Sequence, residues 1–293
     1  LEFDSRFPTP RFFHYLKEKM VGVRFDIVSY CVQRLTEDML VKWVERTLEK
    51  TSIPRIAAGG GTFMNVKANM KIAYMEELED VFFTPSAGDD SNPIGAAYYV
   101  YMRHMGAKPS AIKPVSSLYL GMETSDEEIA RLLKTHETAR KHKVSRHDDI
   151  DGTIAELLAK GKVVARFAGK NEWGARALGN RSILGDPSKM ETFFKTNDQI
   201  KQRDFWMPFA PTILAERADE YIHNPLHRSA PYMILAFDST PEGAKELPAA
   251  LHRGDHTLRP QVLEKSANPR YYRIIKEFEK ETGIGAVLNT SFN

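Results

Sequence analysis

The stretch RIAAGGGTFMN (residues 55–65) joins a short apolar run to three consecutive glycines. The run RIAA is typical of a buried strand, and the glycines let the chain turn sharply out of it. A second stretch, LEDVFFTPSAGDDSNPIGAA (78–97), repeats the order of strand-like run, polar glycine-bearing loop and helical pattern. Two such units predict an α/β fold, in which ligands collect at the carboxyl ends of the strands.

The rest of the chain adds helices and strands around these two units. Residues 36–50 have helical periodicity with Thr36 as a candidate N-cap, whereas the residues before about 25 predict irregular structure. YMILAF (232–237) predicts a further strand. The proline-containing segment 107–120 lacks any period, and we place a domain boundary there, between residues 117 and 118.

Composition limits the classes of protein that remain. The 293 residues allow one large or two ordinary domains, and a formal net charge of +2 excludes a global attraction to polyanions. Cys31 is the single cysteine, which excludes a disulfide framework and favours a reducing compartment. No apolar run approaches the ~20 residues of a membrane span, so we expect a cytoplasmic protein without a membrane partner. The missing initiator methionine and the strand-like final residues lead us to expect a fragment.

A third stretch, FAGKNEWGARALGNRSIL (167–184), places Arg176 and Arg181 among small residues. A guanidinium is costly to bury unless an anion meets it, and small neighbours let that anion approach the backbone. The stretch therefore predicts an anion site that both arginines share.

Other polar groups suit the same chemistry. The cations Lys201, Arg203 and Arg259 offer bidentate or point-charge contacts to phosphate, and Asn289 and Ser291 in NTSFN can orient a small amide or carbonyl. Each of these residues alone is more typical of a scattered salt bridge. Their combination with tight glycine turns favours an anion-binding site over scattered salt bridges.

Three further patterns favour ordinary surface structure. Asp89 and Asp90 suit a hard cation or the positioning of an attacking hydroxyl, but the pattern slightly favours an N-cap and a solvated turn. The two His-x3-His patterns (223–227 and 252–256) are interrupted by Pro and Gly, which disfavours a helical metal site, although His252 and Asp255 could support a site indirectly. The basic cluster 139–147 lacks the interleaved aromatics of a nucleic-acid surface.

The longer motifs resemble a known family. GKNEWGARALGNRSILGDP, KQRDFWMPFAP, LRPQV and LNTSFN closely resemble the C-terminal domain of the carbamoyltransferases that include nodulation and antibiotic O-carbamoyltransferases. AAGGGTFMN and SAGDDSNPIGAA resemble the second half of the actin-like, Kae1-type domain that precedes it. The resemblance implies half of an actin-like (ASKHA/Kae1-like) domain over 1–117, followed by a YrdC-like α/β domain over 118–293.

This resemblance also implies an activity and its ligands. Members activate carbamoyl phosphate with the co-substrate ATP as carbamoyl adenylate, then transfer the carbamoyl group to a hydroxyl of an acceptor, whose identity the sequence leaves open. By motif match, Arg176 and Lys201 are catalytic. The implied carbamoyl-phosphate ligands are Arg176, Lys201, Arg259, Asn289 and Ser291. The implied nucleotide contacts are Gly59, Gly60, Gly61 and Asn65.

Asp89 is the metal ligand that the resemblance implies, for Fe or Mg in a complete Kae1-like domain. The family's histidine pair has no counterpart in this sequence, so we expect Asp89 to lack partner ligands within the chain. Met207 stands where the family often has arginine before PFAP, which removes one phosphate contact. The alternative function is a YrdC-like RNA-binding or tRNA-modification module, although we expect no nucleic-acid partner. A homodimer is left open.

Overall fold

A computed structural model describes residues 8–113, 115–204 and 206–292. It combines α-helices with three β-sheets, and the predicted α/β class is confirmed at that level. The helices are α1 (Thr9–Met20), α2 (Phe25–Thr51), α3 (Val66–Ala73), α4 (Asn92–Arg103), α5 (Asp126–Thr135), α6 (Glu137–Arg140), α7 (Ile150–Ala159), α8 (Met190–Thr196), α9 (Ala218–Tyr221), α10 (Pro241–Glu246) and α11 (Pro269–Thr282). The strands are β1 (Arg55–Ala58), β2 (Asp80–Phe83), β3 (Val164–Phe167), β4 (Arg181–Gly185), β5 (Ala210–Leu214), β6 (Phe237–Asp238), β7 (Thr257–Leu258), β8 (Gln261–Leu263) and β9 (Ala286–Ser291).

The first sheet contains the two strands predicted from residues 55–58 and 78–84. β1 and β2 run parallel, with Arg55 opposite Asp80 and Ala58 opposite Phe83. Both glycine-bearing loops therefore leave the same edge of the sheet, as expected for parallel strands. Beyond them lie a 3₁₀ turn before α3 and, on the other loop, α4.

The second sheet has five strands in the order β3-β4-β9-β5-β8. The pairings β3–β4, β4–β9 and β9–β5 are antiparallel, and β5–β8 is parallel. α7 and α11 pack on each other and contribute Ile154, Leu158, Ile274 and Phe278 to the core. Arg270 of α11 donates to Asp151 of α7 at 3.0 Å. The last strand along the chain, β9, thus lies in the middle of the sheet.

Hydrophobic packing extends across the predicted boundary at 117/118. One cluster of buried residues includes Leu40 and Phe83 before the boundary and Leu158 and Phe278 after it. The division into two domains stays a prediction, as do the actin-like and YrdC-like architectures. Among the described residues, no helix combines the length and apolar character needed to cross a membrane.

The structure corrects the expectation for the first part of the chain. The residues before about 25 are not irregular, because Thr9–Met20 form α1. Proline lacks a backbone donor, so it is compatible with a helix start, and Pro8 and Pro10 lie at that start. Thr36 is not an N-cap: it lies inside α2, where its hydroxyl donates to the carbonyl of Val32 at 2.8 Å.

The predicted strand YMILAF (232–237) is wrong over most of its length. Only Phe237 belongs to a strand, β6. Met233 has φ +56°, a left-handed conformation that interrupts extended backbone. The carbonyl of Ile234 accepts a hydrogen bond from the Asn69 side chain at 2.9 Å rather than from a neighbouring strand. The apolar run marks a buried segment instead.

Candidate functional site

A small cavity, here called the arginine cavity, lies at the carboxyl end of β9. Its volume is about 50 Å³. At ~10–15 Å³ for each water-sized group, it accommodates roughly four such groups, the scale of a small polyatomic anion. The lining residues are Ala175, Arg176, Ala177, Arg203, Pro208, Phe209, Met233, Arg259, Asn289, Thr290 and Ser291. Four separate segments of the sequence therefore converge on one point, together with Met233.

Positive charge dominates this cavity. Burial, together with the nearby charges of Arg176 and Arg203, lowers the pKa of Arg259 to about 9. Burial and Arg203 also lower the pKa of Arg176. No carboxylate forms a salt bridge with Arg176 or Arg259 in the described part of the chain. Clustered guanidinium groups without a counter-charge are unfavourable alone, so the arrangement favours a bound anion.

Hydrogen bonding leaves two groups of the cavity without partners. The Nε of Arg176 is buried and finds no hydrogen-bond acceptor within the described ranges. Oδ1 of Asn289 is also buried and finds no hydrogen-bond donor there. The guanidinium of Arg259 donates to the carbonyl of Met233 at 3.3 Å. Buried polar groups are normally paired, so a donor and an acceptor left open in one cavity suit a polar ligand.

Lys201 lies beside the cavity rather than in its wall. It ends a π-helical turn (Asn197–Lys201), and Gln202 after it has φ +49°. Its Nζ donates to the carbonyl of Ser291 at 2.8 Å and lies 3.4 Å from the Ser291 hydroxyl. Burial, and secondarily Arg203, lowers the pKa of Lys201. The structure thus places Lys201 against the strand end that carries Ser291.

The loop that carries Arg176 is held by a carboxylate. Oε1 of Glu172 accepts the backbone N–H groups of Leu178 at 2.8 Å, Asn180 at 2.7 Å and Arg181 at 3.2 Å. Gly179 has φ +111°, and a Cβ there would overlap the ring of Tyr271. Only glycine fits at this point. The loop is consequently fixed from both sides.

Arg181 does not share the anion site, which corrects the sequence interpretation. Its guanidinium donates to the carbonyls of Ala168 at 2.9 Å and Gly169 at 3.0 Å, and it lies 3.6 Å from the centroid of the Phe167 ring. These contacts hold the loop instead of facing the cavity. Arg203 lines the arginine cavity and Arg181 does not. Arg203 follows a π-helical turn, so its position could not be predicted from sequence spacing.

A second cavity, here called the β1–β2 cavity, lies at the carboxyl ends of β1 and β2. Its volume is about 810 Å³, within the usual range of ligand pockets. The lining residues are Gly59, Gly60, Phe82, Thr84, Pro85, Ser91, Asn92, Ile94, Gly95, Ala96, Tyr98, Ile112, Lys113, Val115 and Trp173. Both loops predicted from the sequence therefore face one space.

Two of the four predicted nucleotide contacts lie elsewhere. Gly61 begins the 3₁₀ turn and is not part of the cavity lining. The side chain of Asn65 caps α3 by accepting from Ala68 at 3.1 Å and forms a reciprocal amide pair with Gln33. Gly59 and Gly60 are the two predicted nucleotide contacts that line the cavity.

Asp89 lies in an exposed 3₁₀ turn, Asp89–Ser91, and Ser86 donates to the neighbouring Asp90. The part of the chain that the structure describes contains no group of three or more metal-binding side chains. The residues present therefore do not fit a metal site by themselves. The assignment of Asp89 as a metal ligand stays a prediction.

His252 and Asp255 form a structural contact. Nδ1 of His252 lies 2.8 Å from Asp255, whose carboxylate also contacts Lys67 at 3.0 Å and accepts from Thr257. Hydrogen bonds from His252, Thr257 and Lys67 outweigh burial and hold the pKa of Asp255 well below its usual range. Neither His252 nor Asp255 lines either cavity described above.

Comparisons with known proteins agree with this geometry. The model described as carbamoyltransferase N-terminus matches residues 9–98, and that described as carbamoyltransferase C-terminus matches residues 155–293. The chain belongs to the carbamoyltransferase family. The resemblance predicted from the motifs is confirmed. The arginine cavity lies within the stretch matched by the carbamoyltransferase C-terminus, and β1 and β2 lie within that matched by the N-terminus.

Named relatives within the carbamoyltransferase family cover most of the chain. The nodulation protein NolO of Bradyrhizobium diazoefficiens is 32% identical over 91% of this chain and 48% of its own length. The 3'-hydroxymethylcephem-O-carbamoyltransferase of Amycolatopsis lactamdurans is 28% identical over 100% of this chain and 53% of its own. An uncharacterized protein of Methanocaldococcus jannaschii is 36% identical over 94% of this chain and 44% of its own. The chain spans about half the length of these curated relatives.

Proposed function

We propose that the chain is part of an O-carbamoyltransferase whose arginine cavity binds carbamoyl phosphate. The observation that carries the proposal is the convergence of Arg176, Arg203 and Arg259 on one cavity, where no carboxylate of the described residues pairs with Arg176 or Arg259. Such a cavity suits a small dianion, because fixed cationic donors in a water-poor site stabilise charge better than water does. The membership in the carbamoyltransferase family and the named O-carbamoyltransferase relative support the same choice.

The reaction that we propose has two stages. Carbamoyl phosphate, water and ATP give carbamoyl adenylate, with inorganic phosphate and pyrophosphate as the other products. An acceptor hydroxyl then attacks the carbamoyl carbon and displaces AMP. Arg176 and Arg259 would bind the phosphate and the charge that develops as it leaves, while Lys201 would hold the end of β9 in place through Ser291.

For ATP we propose the β1–β2 cavity. Its volume suits a nucleotide, and the backbone at Gly59 and Gly60 carries no side chain that would block a phosphate. The segment Trp173–Ala177 connects the two sites, because Trp173 lines the large cavity and Ala175 to Ala177 line the small one. A Cβ on Gly174 would come within 2.9 Å of Ser86, so this segment passes directly against the β2 loop.

The alternative of an RNA-binding module gains no support from the site. A cavity of about 50 Å³ is too small for a nucleotide, and the exposed basic cluster 139–147 has no aromatic platform for bases. An RNA interface would also show an affinity that falls steeply with salt. The small, arginine-lined cavity favours a small anion.

The binding test compares the wild type with Arg176→Ala. We expect the dissociation constant for carbamoyl phosphate, measured by calorimetry, to rise about 10- to 100-fold, the scale for losing a charged hydrogen-bond donor. Arg103→Ala, at the exposed end of α4, is the matched control and should bind as the wild type does. Equal affinity in wild type and Arg176→Ala would remove Arg176 from the site.

Catalysis is tested by carbamoyl-phosphate-dependent release of pyrophosphate from ATP. In the active enzyme, Arg176→Ala should lower this rate by at least ~10²-fold, the usual scale for one preorganised electrostatic donor. An unchanged rate would contradict the role proposed for this arginine.

A further inference from the structure

A third cavity, here called the serine cavity, lies beside the end of β8. Its volume is about 510 Å³, within the usual range of ligand pockets. Its walls come from residues within 116–119, 229–232 and 261–267, together with Leu178. No described residue lines both this cavity and either of the other two. The reaction proposed above therefore leaves this space without a ligand.

The serine cavity differs in charge from the arginine cavity. Glu264 is the only charged side chain among the described residues that line it. Burial raises the pKa of Tyr119 and that of Tyr232, so both hydroxyls stay neutral at ordinary pH. An anionic ligand would meet the like charge of Glu264 and find no cation to pair with, so the lining disfavours phosphates and carboxylates.

Hydrogen-bonding groups surround an apolar wall in this cavity. They are the Glu264 carboxylate and the hydroxyls of four serines, Ser116, Ser117, Ser229 and Ser266. Oγ of Ser117 accepts the backbone N–H of Tyr119 at 3.2 Å, so its proton can be donated to a ligand. The tyrosine rings that line the cavity pack with leucine side chains in one hydrophobic cluster. A saccharide matches this lining, because its ring has apolar C–H faces and hydroxyl groups around its edge.

The wall of the serine cavity is hydrogen-bonded to the loop that carries Arg176. The hydroxyl of Tyr119 donates to the carbonyl of Leu178 at 2.7 Å, and the carbonyl of Leu118 accepts from the backbone N–H of Trp173 at 2.7 Å. Leu178 follows Arg176 by two residues, and Arg176 lines the arginine cavity. A ligand that holds Tyr119 and Leu178 would restrict this loop in advance, so less conformational entropy would be lost when an anion binds.

We propose that the serine cavity binds a neutral saccharide, and that the bound saccharide raises the affinity of the arginine cavity for its anion. The saccharide acts there as an effector rather than as the carbamoyl acceptor, because no described residue lines both cavities. At ~10–15 Å³ for each water-sized group, the volume accommodates a disaccharide. The coupling to carbamoyl phosphate rests on the proposed function, whereas saccharide binding does not.

Saccharide binding is tested with lactose, maltose and cellobiose, three neutral disaccharides that differ in linkage or in the orientation of a hydroxyl. We expect at least one of them to bind the wild type with a dissociation constant of about 1 mM or lower, measured by calorimetry. No saturable binding of any of the three up to about 20 mM would overturn the inference. Tighter binding of spermidine than of every disaccharide would assign the cavity to a cation and would also overturn it.

The charge preference is tested with two derivatives of the disaccharide that binds. Its aldonate and its sugar alcohol both open the same ring, but only the aldonate is charged. The aldonate should bind at least about tenfold more weakly, because its carboxylate meets Glu264. Equal affinity of the two derivatives would contradict the assigned lining.

Two variants locate the bound disaccharide. Glu264→Gln removes the charge with little change of shape, so the aldonate and the sugar alcohol should bind it about equally. Glu77→Gln, at an exposed position outside the three cavity linings, is the matched control and should keep the difference. Ser266→Trp places a large ring at an exposed position of the lining and should abolish disaccharide binding. Binding that persists in Ser266→Trp, shown to be folded by circular dichroism, would overturn the inference.

The coupling is measured by titrating carbamoyl phosphate into the wild type with and without saturating disaccharide. We expect the affinity to rise at least about fivefold, and by linkage carbamoyl phosphate should raise the disaccharide affinity by the same factor. An unchanged affinity would overturn the effector role. If carbamoyl phosphate binds in neither condition, the proposed function fails, and the disaccharide titration still decides whether the serine cavity is a saccharide site.

Discussion

Arg259 shows how burial and charge act on one side chain of the site. Burial and two neighbouring guanidinium groups lower its pKa to about 9, and it donates a hydrogen bond to the carbonyl of Met233. Met233 itself has φ +56°, and such strained backbone is concentrated at functional sites. The residue therefore lies in a setting that costs stability and that a bound anion would relieve.

This pKa predicts a loss of anion binding at alkaline pH. As pH rises through about 9, free Arg259 loses its proton, so less positive charge remains for the ligand. Sulfate keeps its charge over this range and is the suitable probe. Its affinity should fall about tenfold between about pH 8 and pH 10, as calorimetry at constant ionic strength would show. Lys201, whose pKa is also lowered, acts in the same direction.

Arg259→Met supplies the control for this pH dependence. It should bind sulfate more weakly throughout and show a shallower fall, since the charge of Arg259 is then absent at every pH. The stability of the free protein changes in the opposite direction. Between about pH 9 and the usual pKa of arginine, the unfolded chain holds a proton that folded Arg259 has lost. The contribution of Arg259 to the free energy of unfolding therefore rises with pH over this range. A flat sulfate affinity in the wild type would contradict the position assigned to Arg259.

At the scale of elements, the sequence predicted helices and strands that are determined by local periodicity and turn residues. β1, β2 and the start of α4 follow from the apolar runs and glycine-bearing loops of residues 55–65 and 78–97. β4 was not predicted: it pairs with the nearby β3, but its other partner, β9, lies about a hundred residues away in sequence. The sequence marked Arg203, Arg259 and Asn289 as candidates, but it could not show that they line one cavity, because they lie far from Arg176 and from one another along the chain.

The loop between β3 and β4 offers an element-scale prediction. Glu172→Ala removes an acceptor shared by three backbone N–H groups, so the loop should loosen and misplace Arg176. We expect carbamoyl phosphate affinity to fall at least about tenfold, although Glu172 is not part of the arginine cavity lining. Calorimetry measures the affinity, and hydrogen exchange at Leu178 and Asn180 measures the loosening.

Two variants test whether the effect comes from positioning. Glu172→Gln keeps an oxygen that can accept, and it should recover much of the affinity. Glu156→Ala removes an exposed carboxylate that pairs with Lys160 on α7 and should change little. Loss of affinity without faster exchange in the loop would argue against the mechanism proposed here.

At the scale of the molecule, the two cavities share one continuous segment of chain. Trp173 lines the β1–β2 cavity and packs with the cluster that contains Met233, whereas Met233 lines the arginine cavity. The sequence indicated both sites separately, from glycine loops and from cations. Their proximity depends on how Gly174, in the loop before β4, packs against Ser86 after β2, which no local pattern reveals.

Trp173 also makes occupation of the larger cavity measurable. The chain has three tryptophans, of which Trp43 and Trp206 are about half exposed and outside this cavity lining. A non-hydrolysable ATP analogue in the β1–β2 cavity should displace water beside Trp173 and give a saturable change in tryptophan fluorescence. Trp173→Phe should abolish most of that change, whereas the matched Trp206→Phe should retain it. A change that persists in Trp173→Phe but vanishes in Trp206→Phe would place the nucleotide elsewhere, and the β1–β2 cavity would then need another ligand.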